Sequence, residues 1–510
     1  MLQNSPSVRR PGRDLLPGFV IAIHLGHAAL SAWFGYLSPD SWTYLRLARS
    51  LYGHGYPSLD HVYFAVFPFG YPLLLALASP GLDIVHTMIV SKFVNAFLWI
   101  SIFFLLKRLG APALVAAALV VTPFVFQISA MTWSENLMIF AMVLTLAGID
   151  ALQREKRPWP VRQALLLLGG LLVGISSRYM FGFVIGAYIV AYGIAYRRKM
   201  RHETLIVLIA TELIFALYLA INLRLSGYTT GMARMPNTDG ISYLSFTFAR
   251  ANYLAIFAAV LPFSFVALIA GKEWRLSPLS LTAGLIGFAY VGIVAVLRLR
   301  SQFDPFDIRL LGPGWFLIAV AIALAAHEGV ERGMRRLATA ALVALALWSG
   351  YAVHSADAID LAAAHQLWTS PVAAFRDYAD AFDAGEDTEA VISIETPSPR
   401  ATIAGDDKLY YGELDVITPG SAPFLPRETL DGFTTRLRSS EIDIAHCAID
   451  FSRFASEDDL SDVLDDDYRV SFVRSERRFD PELADRFQRI FHAKTLVPCT
   501  AFLDAEKSVR

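Results

Sequence analysis

Cysteine is nearly absent from this chain of 510 residues: there are two, Cys447 and Cys499. Neither belongs to a CxxC pair or a Cys/His cluster, so the sequence offers no zinc-ligand set and no dithiol redox motif. Charge is also scarce. Asp, Glu, Lys and Arg make up 18% of the residues, against 55% hydrophobic ones. The mean hydropathy is +0.46. A soluble protein is typically about 25% charged, so this composition argues against a wholly soluble chain. There is no internal repeat and no low-complexity segment. Arg9, Arg10 and Arg13 precede the first apolar run, as in a signal peptide. That run, 15–37, is long and lacks a small-residue cleavage site, so it reads as an uncleaved first span.

The net charge of −2 conceals two opposite halves. From Ser355 onward there are 16 basic and 31 acidic residues, leaving 28 basic and 15 acidic before it. A basic, apolar half is what the positive-inside bias produces, and it implies no nucleic-acid partner. Apolar runs recur at 15–37, 84–106, 111–130, 136–152, 163–177, 181–196, 205–223, 253–271, 279–297, 312–327 and 338–353, about eleven spans by the length rule. The basic clusters at 107–108, 154–162, 197–201, 272–275 and 332–336 fall between alternate spans. All lie on one side if the N-terminus is cytoplasmic. The expected fold is therefore mainly α, a polytopic transmembrane helical bundle over 1–354 with a long outer loop at 38–83. A small soluble α/β domain follows at 355–510, on the extracytoplasmic side. In that domain 372–382 reads as an amphipathic helix, and 390–394, 414–418, 470–473 and 497–503 read as strands. The acidic run 457–467 reads as solvated surface. Outside the cytoplasm Cys447 and Cys499 could close a disulfide, or be two unrelated thiols.

Chemistry-bearing residues gather at the outer ends of the spans. The first outer loop opens Ser-Pro-Asp-Ser-Trp-Thr-Tyr-Leu-Arg-Leu-Ala-Arg. In it Tyr44, Leu45, Ala48, Leu51 and Tyr52 share one helical face, as in a helix lying in the membrane interface. Asp40 stands at its start, where it either caps the helix or offers a carboxylate to an acceptor hydroxyl. His54 and His61 lie further along the loop, where solvated histidines are the ordinary reading. The Pro-Phe-Gly-Tyr-Pro-Leu-Leu-Leu-Ala-Leu segment after them is too short to span. A second outer turn, Met-Thr-Trp-Ser-Glu-Asn, places Glu135 in the first turn of the next span. There the helix dipole favours an anion and Ser134 or Thr132 could cap. Arg178, Arg300 and Arg309 lie on the outer side, against the orientation bias. They are candidate anion contacts or snorkelling side chains. Lys92 lies inside a span, where a lysine usually faces a polar cavity.

In order and sidedness these features resemble the GT-C superfamily of membrane glycosyltransferases, which includes protein O-mannosyltransferases and the lipid A aminoarabinose transferases. The parallels are Asp40 with its loop helix, the Pro-rich stretch after it, Ser134-Glu135, and the Phe-Asp-Ile-Arg-Leu-Leu-Gly-Pro-Gly run carrying Arg309. The resemblance covers about 350 residues by the span count. It implies an inverting hexosyl- or pentosyltransferase with Asp40 and Glu135 as catalytic carboxylates. Tyr44, His61, Lys92, Arg178, Arg300 and Arg309 would be contacts to the substrate and its lipid phosphate. The implied partners are a polyprenyl-phosphate-linked sugar donor, membrane lipids, and a glycan, lipid or protein acceptor. The implied location is a bacterial inner (plasma) membrane. Many members carry two adjacent acidic residues in the first loop, whereas Asp40 is followed by Ser41. That departure argues against a metal held by the first loop; a divalent metal stays open as a cofactor, but the sequence does not indicate one. The alternative from another class is a transporter or lipid-carrier flippase, though such proteins usually show repeats and mid-membrane charges.

Sidedness has a direct test. An alkaline phosphatase fused after Arg510 is expected to be active, and a fluorescent protein sensitive to export dark. The reverse pattern would reject an odd number of spans.

Overall fold

The computed structural model describes residues 15–356 apart from 35, 37–38, 60–61, 83, 158, 232–236, 238–239, 302–305 and 329–331, and beyond them the backbone of five strands. Eight described helices are long and apolar enough to cross a membrane: they lie in Leu16–Trp33, His86–Leu109, Glu135–Arg154, His202–Ser226, Ile241–Ala270, Pro278–Arg300, Ile308–Ala325 and Gly333–Val353. A bent pair, α5 (Ala113–Val120) and α6 (Pro123–Ala130), counts as one more. Two shorter apolar helices, α8 (Val161–Ser177) and α9 (Met180–Ala195), complete the set. Each of the eleven expected segments is therefore helical, and the protein is a polytopic helical bundle.

In chain order α1 is Leu16–Phe34, α2 Pro39–His54, α3 Gly70–Ala78, α4 Ile84–Leu109, α7 Glu135–Arg154 and α10 His202–Ser226. A two-residue hairpin, β1 (Ser58–Leu59) with β2 (Val62–Tyr63), separates α2 from α3. The eighth apolar segment runs through α11 (Ile241–Ala255), a π turn (Ile256–Val260) and α12 (Leu261–Ala270). Then come α13 (Pro278–Arg300), α14 (Ile308–Ala325) and α15 (Arg332–Ala356). Strands β3 (Gly271–Trp274) and β4 (Ala326–Glu328) pair antiparallel and tie the ends of α12 and α14.

Local sequence explains the irregular helices. Pro123 forces Thr122 into an extended conformation (φ −74°, ψ 157°) and stops α5, giving a bend of 49°. The carbonyl of Val121, left open by the break, accepts a hydrogen bond from Ser349 Oγ of α15 at 2.6 Å. Pro262 follows the π turn, which absorbs the hydrogen bond that proline cannot donate. That segment begins at Ile241, well before the expected 253. Ser242, Thr247 and Asn252 obscure the apolar run, but Asn252 accepts from Trp315 Nε1 at 2.8 Å and is paired inside the bundle.

Expectation and structure diverge at α2. Its sequence suggested an interfacial helix with one polar face, yet everything from Thr43 to Ala48 is buried, and Arg46 is only 2% exposed. The helix packs against α3, α4 and β1, so both of its faces are covered. The short Pro-bounded segment becomes α3, whose Gly70, Tyr71, Pro72, Leu75 and Ala76 are buried.

Beyond α15, the described part of the acidic region is a five-stranded antiparallel sheet in the order β6-β5-β8-β7-β9. Its strands are β5 Ala390–Glu395, β6 Ser398–Ile403, β7 His446–Asp450, β8 Arg469–Arg474 and β9 Lys494–Pro498. The expected helix at 372–382 and strand at 414–418 lie outside the described residues. Cys447 stands on β7 opposite Val497 of β9; Cys499 lies outside the described residues.

Glycines set the close crossing of α13 and α14. A Cβ on Gly287 of α13 would lie 2.6 Å from the carbonyl oxygen of Gly314 on α14, and one on Gly314 would lie 2.8 Å from that of Gly287. Backbone against backbone cannot relax by rotating a side chain. Gly287→Ala is expected to destabilise the fold by about 1–3 kcal/mol, the usual penalty of overpacking. Gly169→Ala, where nothing lies within 4 Å of the added carbon, is the control. Equal thermal denaturation curves for the two variants would contradict this packing.

Candidate active site

Four charged side chains from four separate helix ends meet at one end of the bundle. Asp40 lies in the first turn of α2, Glu135 begins α7, Arg178 caps the end of α8, and Arg309 is in the first turn of α14. Asp307 fixes the start of α14 by accepting a hydrogen bond from Leu310 N at 2.7 Å, which aims Arg309. Arg309 then reaches both acids: Nη2 pairs with Asp40 Oδ2 and Nε with Glu135 Oε1. Its guanidinium lies over the Trp133 ring, 4.6 Å from the centroid. Arg178 Nη2 pairs with Glu135 Oε1 at 2.5 Å, and its Nε donates to Ser134 Oγ at 3.0 Å.

The two acids are not equivalent. Glu135 is 1% exposed and serves as the common partner of both arginines. Asp40 keeps 21% of its side chain accessible. Neither expected cap is found. Helix α2 starts at Pro39, so Asp40 sits inside its first turn and turns its carboxylate to Arg309. Ser134 makes no side-chain cap to α7, because its hydroxyl is taken by Arg178 and by Tyr44 Oη at 2.6 Å.

Beneath this cluster α4 presents a polar stripe in an otherwise apolar helix, and that stripe grips the 128–136 turn. Ser91 Oγ and Thr132 Oγ1 are 2.7 Å apart. Asn95 Nδ2 donates to the carbonyls of Met131 at 2.8 Å and Ser129 at 3.2 Å, while its Oδ1 accepts from Tyr71 Oη at 2.8 Å. Trp99 Nε1 donates to Asn136 Oδ1 at 2.8 Å, and Asn136 Nδ2 donates to the carbonyls of Ile128 and Trp133, each at 2.9 Å. These contacts fasten the turn from which Glu135 projects.

The other expected contacts divide. Lys92 is fully buried and donates to the Tyr36 carbonyl at 2.5 Å and Thr132 Oγ1 at 3.1 Å, below the cluster and outside it. Tyr44 is also fully buried. Burial foremost, with the Glu135 charge adding and Arg178 and Ser134 opposing, pushes its hydroxyl up to about 12. Tyr44 thus stays neutral and supports Ser134; burial closes it to a ligand in this structure, contrary to its reading as a substrate contact. Arg300 is exposed at the end of α13 and does not join the cluster. Its neighbour Arg298 turns inward instead, 2% exposed, and donates to Asn237 Oδ1 at 2.6 Å. His61 lies outside the described residues. Among the described residues no three His, Cys, Asp or Glu side chains group as metal ligands. Sequence reasoning missed Trp133, Ser134 as a hub, and the α4 stripe. The stripe had a readable signal: Ser91, Asn95 and Trp99 recur every four residues, on one helical face.

No protein-family model matches this chain, and no curated protein matches it. Among solved structures, ArnT from Cupriavidus metallidurans bound to undecaprenyl phosphate is similar over 72% of this chain and 69% of that one, at 16% identity and a TM-score of 0.46. ArnT from the same organism in the apo state is similar over 60% of this chain and 59% of that one, at 15% identity and a TM-score of 0.44.

Proposed function

We propose that this protein is a membrane glycosyltransferase that moves a sugar from a polyprenyl-phosphate carrier to an acceptor hydroxyl on the outer face of a bacterial plasma membrane. One observation carries the reading. Arg309, at the start of a late span, contacts both the first-loop carboxylate Asp40 and the second-turn carboxylate Glu135. A reachable acid beside a fixed cation at the end of a helical bundle suits transfer from a phosphate leaving group at the membrane surface. The resemblance of the flanking motifs to the GT-C superfamily points the same way.

The roles follow from burial. Asp40, the accessible acid, is the base; Glu135, buried between two arginines, positions Arg309 and Arg178 and does not touch the reacting atoms. The acceptor oxygen attacks the anomeric carbon and gives its proton to Asp40. The bond from that carbon to the phosphate oxygen breaks, and its electron pair leaves with the phosphate, inverting the anomeric centre. Asp40 loses one negative charge as the phosphate gains one, so the site's total charge stays constant. That constancy matters where the dielectric is low. The growing charge on phosphate is met by Arg309, already fixed in place over Trp133, so little reorganisation is needed. Sugar and acceptor are open choices in this scheme.

The test uses purified protein with a polyprenyl-phosphate-linked sugar. Wild type is expected to release free polyprenyl phosphate, whereas a flippase or transporter would leave the donor intact. Asp40→Asn keeps the shape of the side chain but cannot take the proton. It is expected to lower turnover by about a hundredfold or more with the melting temperature near wild type. Substantial turnover by a well-folded Asp40→Asn protein would sink the assignment.

A further inference from the structure

The base and the phosphate contact are bound to each other. Arg309 Nη2 is paired with Asp40, the acid that must accept a proton, and the same guanidinium is the cation that must meet the donor's phosphate. A carboxylate held by a guanidinium is a poorer proton acceptor than a free one. The remaining contacts of Arg309 are of a different kind. Its Nε is anchored on Glu135, which is almost fully buried and fixed by the turn beneath it. Its face rests on Trp133. The Nη edge is the part shared with Asp40, the accessible acid, and neither side chain is closed to a ligand: those of Arg309 and Asp40 are 13% and 21% exposed.

We infer that the resting site is self-blocked, and that the donor's phosphate unblocks it by taking the Nη edge of Arg309 away from Asp40. Glu135 is the pivot that keeps Arg309 in place during the exchange. Donor binding therefore precedes acceptor activation and creates the base, and a site without donor holds no free base to activate water or a stray hydroxyl. The inference rests on the proposed polyprenyl-phosphate donor and adds to it an order of events and a competition between Asp40 and phosphate for one cation.

Competition has a signature in binding that needs no turnover. The probe is a polyprenyl phosphate without sugar, titrated into the detergent-solubilised full chain at constant ionic strength. Asp40→Asn removes the competitor, so its affinity for the probe is expected to rise on the order of tenfold, the low end for a charge-assisted contact. A general gain from removing any nearby negative charge would look similar, and Glu135→Gln separates the two. Under the pivot reading it loosens Arg309 and weakens binding; under a general field it strengthens binding. Should Glu135→Gln fail to fold, the Arg309→Gln background replaces it, where Asp40→Asn is expected to bring less than a twofold gain. Equal or weaker affinity in Asp40→Asn overturns the exchange while leaving the donor reading standing. A gain of the same size in Glu135→Gln, or in the Arg309→Gln background, overturns it too. Wild-type protein that fails to bind the probe at all would remove the donor reading and the exchange together.

Discussion

The contact of Arg309 with Asp40 and Glu135 is the constraint around which this end of the bundle is organised. Charges at the boundary of a membrane-embedded bundle are expensive unless paired, and Glu135 has almost no access to water. Two acids and two arginines together carry no net charge, so the cluster is self-compensating. Removing the buried Glu135 would strand its two arginines, and breaking a buried pair costs about 3–5 kcal/mol. The same contact ties α2, α7, α8 and α14 into one unit, although their residues stand far apart in sequence.

That unit needs rigid supports. From below, the polar stripe of α4 fastens the 128–136 turn that carries Glu135. From the side, the glycine-to-glycine approach of α13 and α14 fixes the helix that carries Arg309. Asp307 closes the first turn of that helix. The apolar interior supplies the bulk of the stability, and these few polar contacts fix the geometry of the charged end. Arg309 is thereby preorganised while Asp40 stays accessible, which is the division of labour the proposed chemistry needs.

Much of the bundle was legible in the sequence, because a long apolar run has few alternatives to a helix in the membrane. The charged end was legible in part. Asp40, Glu135, Arg178 and Arg309 stood out as ionisable residues at span boundaries, and the structure brings these four together. The misses have physical reasons. Arg298 and Arg300 are two residues apart, about 200° around the helix, so their opposite fates depend on a helix phase that hydropathy does not reveal. Tyr44 and Arg46 looked like parts of an amphipathic surface, because packing of α3 and α4 over α2 is a tertiary fact. The early start of α11 was hidden by Asn252, whose partner Trp315 lies on another helix. Trp133 had no local pattern at all; its importance comes from Arg309 resting on its face.

The most direct measurement of the central claim is an experimental structure of the full chain with a polyprenyl phosphate bound in a lipid environment. The account predicts phosphate oxygens within hydrogen-bond distance of Arg309, with Arg309 still on Glu135 and Asp40 turned free toward the acceptor side. A phosphate seated elsewhere, with Arg309 still clamped between Asp40 and Glu135, would contradict it.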